Sequence, residues 1–405
     1  MTSIRGYTLF VKNKFKAFYF ILFLSFGIIG PYRALYLSQK GFTGTQIGLL
    51  IGIVPILSIV FQPIWGALSD LLHTRRLILI IGCLGVSASM VGVALGTTFS
   101  ANFLFFTLFS IFLTPIGPIV TAFVLDYLDE IEKPESLSLI RAWGSIGFGV
   151  SSLFLGSILM DQRLELFPWL LMGVYIILGV VSLTLPESNI SFDQSDIKIK
   201  ELFQLARNAS FMIFLAGMVF IGATLLIANN FQTIFLLSLN ASSLLIGITV
   251  ALPALLEIPV LIVTPTLLKN FRLRQLIIAG AILMPIRWGL FYIIQNPGWM
   301  IPAQILNGIA TVSIDIAGVS YIDNSIHPKW RATGQGLYTT AAFAIGPGIG
   351  NIIAGIFLDR FDVRAIWGLN LILGIVGLIL VFLALWYFSK PGKDLTIEPG
   401  DSLKV

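Results

Sequence analysis

The stretch 31–76, PYRALYLSQKGFTGTQIGLLIGIVPILSIVFQPIWGALSDLLHTRR, reads as the end of one apolar helix, a short polar turn, a second apolar helix and a charged loop. Gly48 and Gly52, four residues apart, give the second helix a small-residue face that lets another helix approach closely. Gly66, Leu68 and Asp70 close it, and His73, Arg75 and Arg76 follow. A weaker copy lies 199 residues downstream. Ile47-Gly48 maps onto Ile246-Gly247, Tyr36-Leu37 onto Phe235-Leu236 and Arg75 onto Arg274, while Lys269 stands in the place of Asp70. Two copies of a helix-turn-helix unit in so apolar a chain predict a duplicated membrane bundle.

Composition leads to the same class. Of 405 residues, 57% are hydrophobic and 11% charged, against roughly 25% charged in a soluble domain. Mean hydropathy is +0.93. No soluble core of this size hides so much apolar surface, so lipid is the solvent for much of the chain. A net charge of +5 would suggest nucleic acid in a soluble protein; here it is read as loop charge bias, with no nucleic-acid partner expected. The single Cys83 lies in an apolar run and is read as a small buried hydrophobe.

Apolar runs of spanning length fall near 17–37, 45–69, 77–97, 101–125, 139–160 and 166–185, and again near 211–238, 243–268, 275–295, 299–322, 332–358 and 365–388. These predict an all-α integral membrane protein of about twelve helices in two pseudo-symmetric six-helix bundles. The expected divisions are 1–185, a cytoplasmic central loop over 186–210, a second bundle over 211–389 and a cytoplasmic tail over 390–405. With both termini inside, nineteen of the 25 Lys and Arg lie on the inner side and four on the outer, while Arg33 and Arg287 lie within spans. The positive-inside rule therefore predicts cytoplasmic termini in a multi-pass bacterial inner-membrane protein. The fifth and eleventh spans form another pair: Arg141-Ala142-Trp143-Gly144 opens one, and Arg331-Ala332-Thr333-Gly334 opens the other, 190 residues later. Gly346, Gly350 and Ala354 put a groove along one face of the latter, on which helices pack or slide.

At this point a family resemblance emerges. GALSDLLHTRR resembles the loop motif of the major facilitator superfamily: Gly66, Leu68, Asp70 and Arg75 match, while His73 and Thr74 stand where Gly and Arg are usual. RAWGSIGF at 141–148, LPALLEIPV around Glu257, PIRWGL around Arg287 and RATGQGLY at 331–338 resemble the branch holding phenylpropionate permeases, nucleoside–proton symporters and lactose permease. Asp315 occupies a place where that branch often carries a histidine. The resemblance implies the major facilitator fold, with Gly66, Asp70, Arg75, Arg141 and Arg331 in the conformational switch. Asp70 is then expected beside the N-terminus of the eleventh span whenever the cytoplasmic side is closed.

Ionisable residues in lipid are expensive and mark function. Glu257 and Arg287 each fall about eleven or twelve residues from the same face of consecutive spans, a shared depth at ~1.5 Å per residue. They are read as a pair, either a structural salt bridge or a proton site in which protonation of Glu257 releases Arg287. Asp315 in the tenth span competes for the proton role. Arg33, flanked by Tyr32 and Tyr36, either snorkels outward or faces a central cavity and attracts an anionic group. Asn229, Asn230 and Gln232 in the seventh span, with Gln304, Asn307, Gln335 and Tyr338, supply the hydrogen-bonding groups a small, partly polar solute needs; each could instead bind helix to helix.

There is no Gly-rich phosphate loop, no metal-ligand spacing around His73 or His327, and no Ser-His arrangement at membrane depth. No cofactor, metal or enzymatic activity is expected. The expectation is a monomeric secondary active transporter moving a small organic solute by alternating access, with protons and the bilayer as its other partners. Proton-coupled symport is the favoured mode. The alternatives are an efflux antiporter, or a sensor or scaffold that transports nothing.

Overall fold

The computed structural model describes residues 2–130, 137–155, 163–186, 205, 208–326 and 330–387. All regular structure among them is helical. The first half holds α1 (Thr2–Gln39), α2 (Gly44–Leu71), α3 (Arg75–Leu95), α4 (Phe99–Leu113), α5 (Ile116–Glu130), α6 (Leu137–Val150) and α7 (Phe167–Leu183). The second holds α8 (Ala209–Ser238), α9 (Ser243–Asn270), α10 (Leu273–Ile293), α11 (Met300–Ser325), α12 (Arg331–Thr340), α13 (Gly346–Arg360) and α14 (Ala365–Tyr387). Nine helices among the described residues are long and apolar enough to cross a membrane. The shorter apolar helices Leu139–Phe154 and Ser243–Leu256, with α11, occupy the remaining three expected runs. The tail 390–405, and most of the expected central loop 186–210, lie outside the described residues.

Local chemistry explains where the helices start and break. Thr43 caps α2 and Gln46 caps back, a reciprocal box that satisfies two otherwise orphaned backbone donors. Asn208 and Ser242 cap α8 and α9 by the same side-chain-to-backbone bond. The 199-residue repeat extends to turn geometry. Gly41 has φ +83° and Asn240, its repeat equivalent, has φ +56°; both act just before the capping residues Thr43 and Ser242. His73 has φ +51°, a left-handed conformation that glycine adopts at lower cost, which is why the motif usually places glycine there. Thr74, the other departure from the motif, is the N-cap of α3, accepting from Leu77 N. The fourth span is divided at Pro115, which has no N–H to continue α4 into α5.

The second repeat pair carries matching irregularities. Ser151–Leu155 and Ala341–Ile345 are single π-helical turns, again 190 residues apart. Such turns insert one residue into a helix and loosen its carbonyls. Ser152 O accepts from Tyr32 Oη at 3.3 Å.

Within the first half α1 packs on α6 and α7, and α3 on α4 and α7; within the second, α8 packs on α13 and α14, α10 on α11 and α14, and α9 on α11. Three contacts join the halves: α2 with α13, α1 with α8, and α6 plus its π turn with α9. The α2–α13 contact is backbone against backbone. A Cβ on Gly48 would lie 2.6 Å from Asn351 O, and one on Gly52 would lie 2.5 Å from Gly348 O. Gly346 and Gly350 face elsewhere, toward Val219, Ala223 and Ile227 of α8, so the groove read from the sequence receives a helix of its own half. This seam is confined to one end. The buried residues of α2 are Gly44 to Gly52 and Ser69, whereas Ile59, Val60, Ile64 and Leu71 are exposed. At Gly66 a Cβ would meet nothing within 4 Å. The halves are closed together at the Thr43 end and apart at the Asp70 end.

Candidate functional site

Between the halves lies a cavity of about 310 Å³. The second half supplies most of its polar wall: Asn229 and Gln232 from α8, Arg287 from α10, and Gln304 and Asn307 from α11. The first half contributes Phe23, Ser145 and Phe148, and Phe343 comes from the second π turn. Five of the residues singled out in the sequence thus meet on one surface, facing aromatic rings.

Arg287 organises that surface and is only 3% exposed. Its two terminal nitrogens donate to Asn307 Oδ1 at 2.6 Å and to Gln304 Oε1 at 2.5 Å. Behind it the guanidinium lies 4.3 Å from the Trp288 ring centre and 5.0 Å from that of Phe291, contacts that stabilise a desolvated cation. Those rings are held in turn by Trp367, whose ring centres lie 6.0 Å and 4.9 Å away. Gln304 is fully buried, and its amide donates to Gln232 Oε1 at 2.8 Å and to Thr249 O at 3.0 Å. Its orientation is fixed on both sides, so its oxygen faces the arginine. A charge buried in this way is tolerable because neutral amides aim their dipoles at it. The side chains of Glu257 and Asp315 lie outside the described residues.

Arg33 takes neither of the two expected positions, lipid surface or cavity wall. It is 7% exposed and donates to Asn230 Oδ1 at 3.0 Å. Asn230 donates to Leu226 O and to Asn351 Oδ1, at 2.8 and 3.0 Å, and Asn351 donates to Pro347 O. This chain of bonds ties α1, α8 and α13 together above the cavity, within the closed seam. Tyr32 is spent on the first π turn. Tyr36 stacks on Phe167, with ring centres 4.9 Å apart, and donates to Val93 O. Gln335 donates to Asp323 Oδ1 at 2.7 Å, and Tyr338 is buried against Phe214. None of these six lines the cavity in this conformation.

The expected switch residues occupy the open end. Asp70 is exposed, and its carboxylate has no partner among the described residues. Arg75 forms a 2.6 Å salt bridge with Asp126 of its own half. Arg331 is exposed at the start of α12. Arg141 lines a second chamber of about 480 Å³, with Tyr19, Phe23 and Thr121. Phe23 walls both spaces. Asn351, Thr249 and the three phenylalanines were not picked out in the sequence. Asn351 carried a signal, being a lone amide in the small-residue run GPGIGNIIAG; the phenylalanines carried none among 32.

Full-length relatives carry transporter names. The chain is 28% identical to the uncharacterized transporter YwbF of Bacillus subtilis (strain 168), over 96% of each sequence. It is 22% identical to the maltose permease of Geobacillus stearothermophilus, over 92% of this chain and 94% of that one. The fold matches the crystal structure of the nucleoside transporter NupG with a TM-score of 0.82 at 20% identity, covering 94% of this chain and 99% of the other. The model of the MFS_1-like family matches residues 13–369, and the chain belongs to that family of major facilitator superfamily membrane transporters.

Proposed function

We propose that this transporter imports a small organic solute together with protons, by alternating access, from the Thr43 end facing outside to the Asp70 end facing the cytoplasm. The observation that carries the reading is the cavity itself. An amide and guanidinium wall (Asn229, Gln232, Arg287, Gln304, Asn307) faces Phe23, Phe148 and Phe343 across the junction of the halves. Such a site fits a solute with several hydrogen-bonding groups on one edge and an apolar or ring face on the other. Sugars, nucleosides and aromatic acids have this character, and the printed names of the maltose permease and the nucleoside transporter NupG fall in the same range. The excess of Lys and Arg in loops at the Asp70 end supports the orientation. Glu257, on α9 facing the same junction, is the preferred proton site and Asp315 the competitor. Arg287 responds to either, because its present partners are neutral amides that a carboxylate can outcompete.

The test begins with the purified protein. A ligand that binds the folded state raises its melting temperature in proportion to RT ln(1 + [L]/Kd), so a panel of sugars, nucleosides and aromatic acids identifies the solute class. The stabilising solute is then offered to proteoliposomes with and without an inward proton gradient. Accumulation above the external concentration only with the gradient supports symport. Equal uptake in both conditions refutes proton coupling, and gradient-driven loss of preloaded solute refutes import.

A further inference from the structure

The closed end is held by a carboxylate outside the cavity and outside the loop motif. Asp359, the penultimate residue of α13, reaches across the junction to the first turn of α2. Its Oδ1 accepts from Gly44 N at 2.5 Å, and its Oδ2 accepts from Thr45 N at 2.7 Å and from Thr45 Oγ1 at 2.6 Å. A helix N-terminus leaves its first backbone N–H groups unpaired. In α2 the local cap covers only part of that demand: Gln46 N goes to Thr43 Oγ1, and Ile47 N goes to Thr43 O. The two remaining donors are the ones given to the opposite half. The same turn carries the closest backbone approach, for a Cβ on Gly355 would collide with Gly44 O.

The placement mirrors the opposite end. Gly66 and Asp70 close α2, and Gly355 and Asp359 close α13, each aspartate four residues after its glycine. Asp359 is engaged at the end where the halves meet, and Asp70 is exposed at the end where they part. Water can take over the Gly44 and Thr45 donors, so α2 does not need Asp359 in order to form. Charge, helix dipole and three donors all favour the contact, yet it is exposed, so salt screens it and it can be released.

We propose that Asp359 is the gating residue of the Thr43 end: its carboxylate caps α2 across the junction while that end is closed and lets go when the end opens. The proposal rests on alternating access but not on the identity of the solute or on proton coupling. The experiment uses the full-length protein in lipid nanodiscs, with Cys83 replaced by Ala and spin labels at the exposed positions Ser38 and Phe361. The distance distribution between the labels separates closed from open molecules. Asp359→Asn, which keeps shape but loses charge and one acceptor, is expected to lower the closed-to-open ratio about five- to thirtyfold, the range associated with losing a helix cap. Asp359→Glu is expected to restore much of it, and Thr45→Val to lower it less. Thermal unfolding of the three variants is expected to stay close to the parent, which separates a gate from a structural support. An unchanged distribution in Asp359→Asn overturns the assignment, as does a change matched by an equal loss of thermal stability. A single closed population in the parent and in a Gly48→Leu control overturns alternating access at this end, and the gate with it.

Discussion

Gly48→Ala adds one methyl group at the tightest junction in the molecule and tests whether that junction opens. The added carbon would lie 2.6 Å from Asn351 O and 3.1 Å from the Cα atoms of Ile352 and Gly355. Contact becomes ordinary at 3.4 Å, so α2 and α13 must part by about 0.8 Å. The opposing atoms are backbone and cannot rotate aside. Parting there also loosens the neighbouring approaches at Gly44 and Gly52, because both glycines lie on the same face. Overpacking of this kind costs about 1–3 kcal/mol, and only the closed state bears it. The closed-to-open ratio should therefore fall by about five- to 150-fold. The assay is alkylation of a cysteine placed at Ile352, which faces Gly52 across the junction, by a membrane-impermeant maleimide in a Cys83→Ala background. The rate should rise in proportion to the open fraction. Gly66→Ala is the control, since a methyl there meets open space and should not raise the rate. An alkylation rate that Gly48→Ala leaves unchanged would refute the reasoning, because it would mean that the backbones have slack or that the junction never opens.

Further outcomes follow from the cavity and the topology. Glu257→Gln should abolish solute accumulation driven by a proton gradient while leaving exchange between equal pools; if accumulation persists, and Asp315→Asn removes it, Asp315 is the proton site. Arg287→Lys keeps the charge but loses the fork that spans Gln304 and Asn307. It should weaken solute-induced stabilisation by about tenfold in apparent Kd, read from thermal shift titrations. Arg287→Ala should also lower thermal stability, because Gln304 Oε1 is left buried without its donor, at a cost of about 1–3 kcal/mol. Reporters fused after Ser195 should read cytoplasm, and one inserted between Gly41 and Thr45 should read outside; a signal from outside after Ser195 would overturn the orientation.

Much of the fold could be read from the chain because lipid makes apolar length an unusually direct signal. The 199-residue repeat, first seen in side-chain pattern, proved to reach the caps Thr43 and Ser242 and the left-handed residues Gly41 and Asn240. The composition of the site was partly legible, since amides and a guanidinium within spans are few. Their pairing was not. Periodicity says which residues share a face of one helix, but not which helix that face meets. Arg33 is the clearest example: its partner lies 197 residues away in the other half, and a single sequence carries no trace of that contact. The glycines of the eleventh span show the same limit. Small residues lie on two faces, and spacing alone cannot decide that Gly346 and Gly350 receive α8 while Gly348 and Gly355 receive α2. Asp359 was hidden differently, because a charged residue at the end of a span is the ordinary composition of a loop.

The two π turns limit how these spans can change in length. Successive residues of an α-helix are displaced by roughly 100° around the axis. Deleting one residue from Ala341–Ile345 would let that span relax to a regular helix and rotate everything beyond it by about that angle. Gly348 and Gly355 would turn away from α2, Gly346 and Gly350 away from α8, and Asp359 away from its donors. A one-residue deletion there acts as a twist, not as a shortening. The same holds at Ser151–Leu155, where Ser152 lies against Tyr32 and Gly247. In any chimera exchanging the fifth or eleventh span between related transporters, the turn must travel with the segment that follows it.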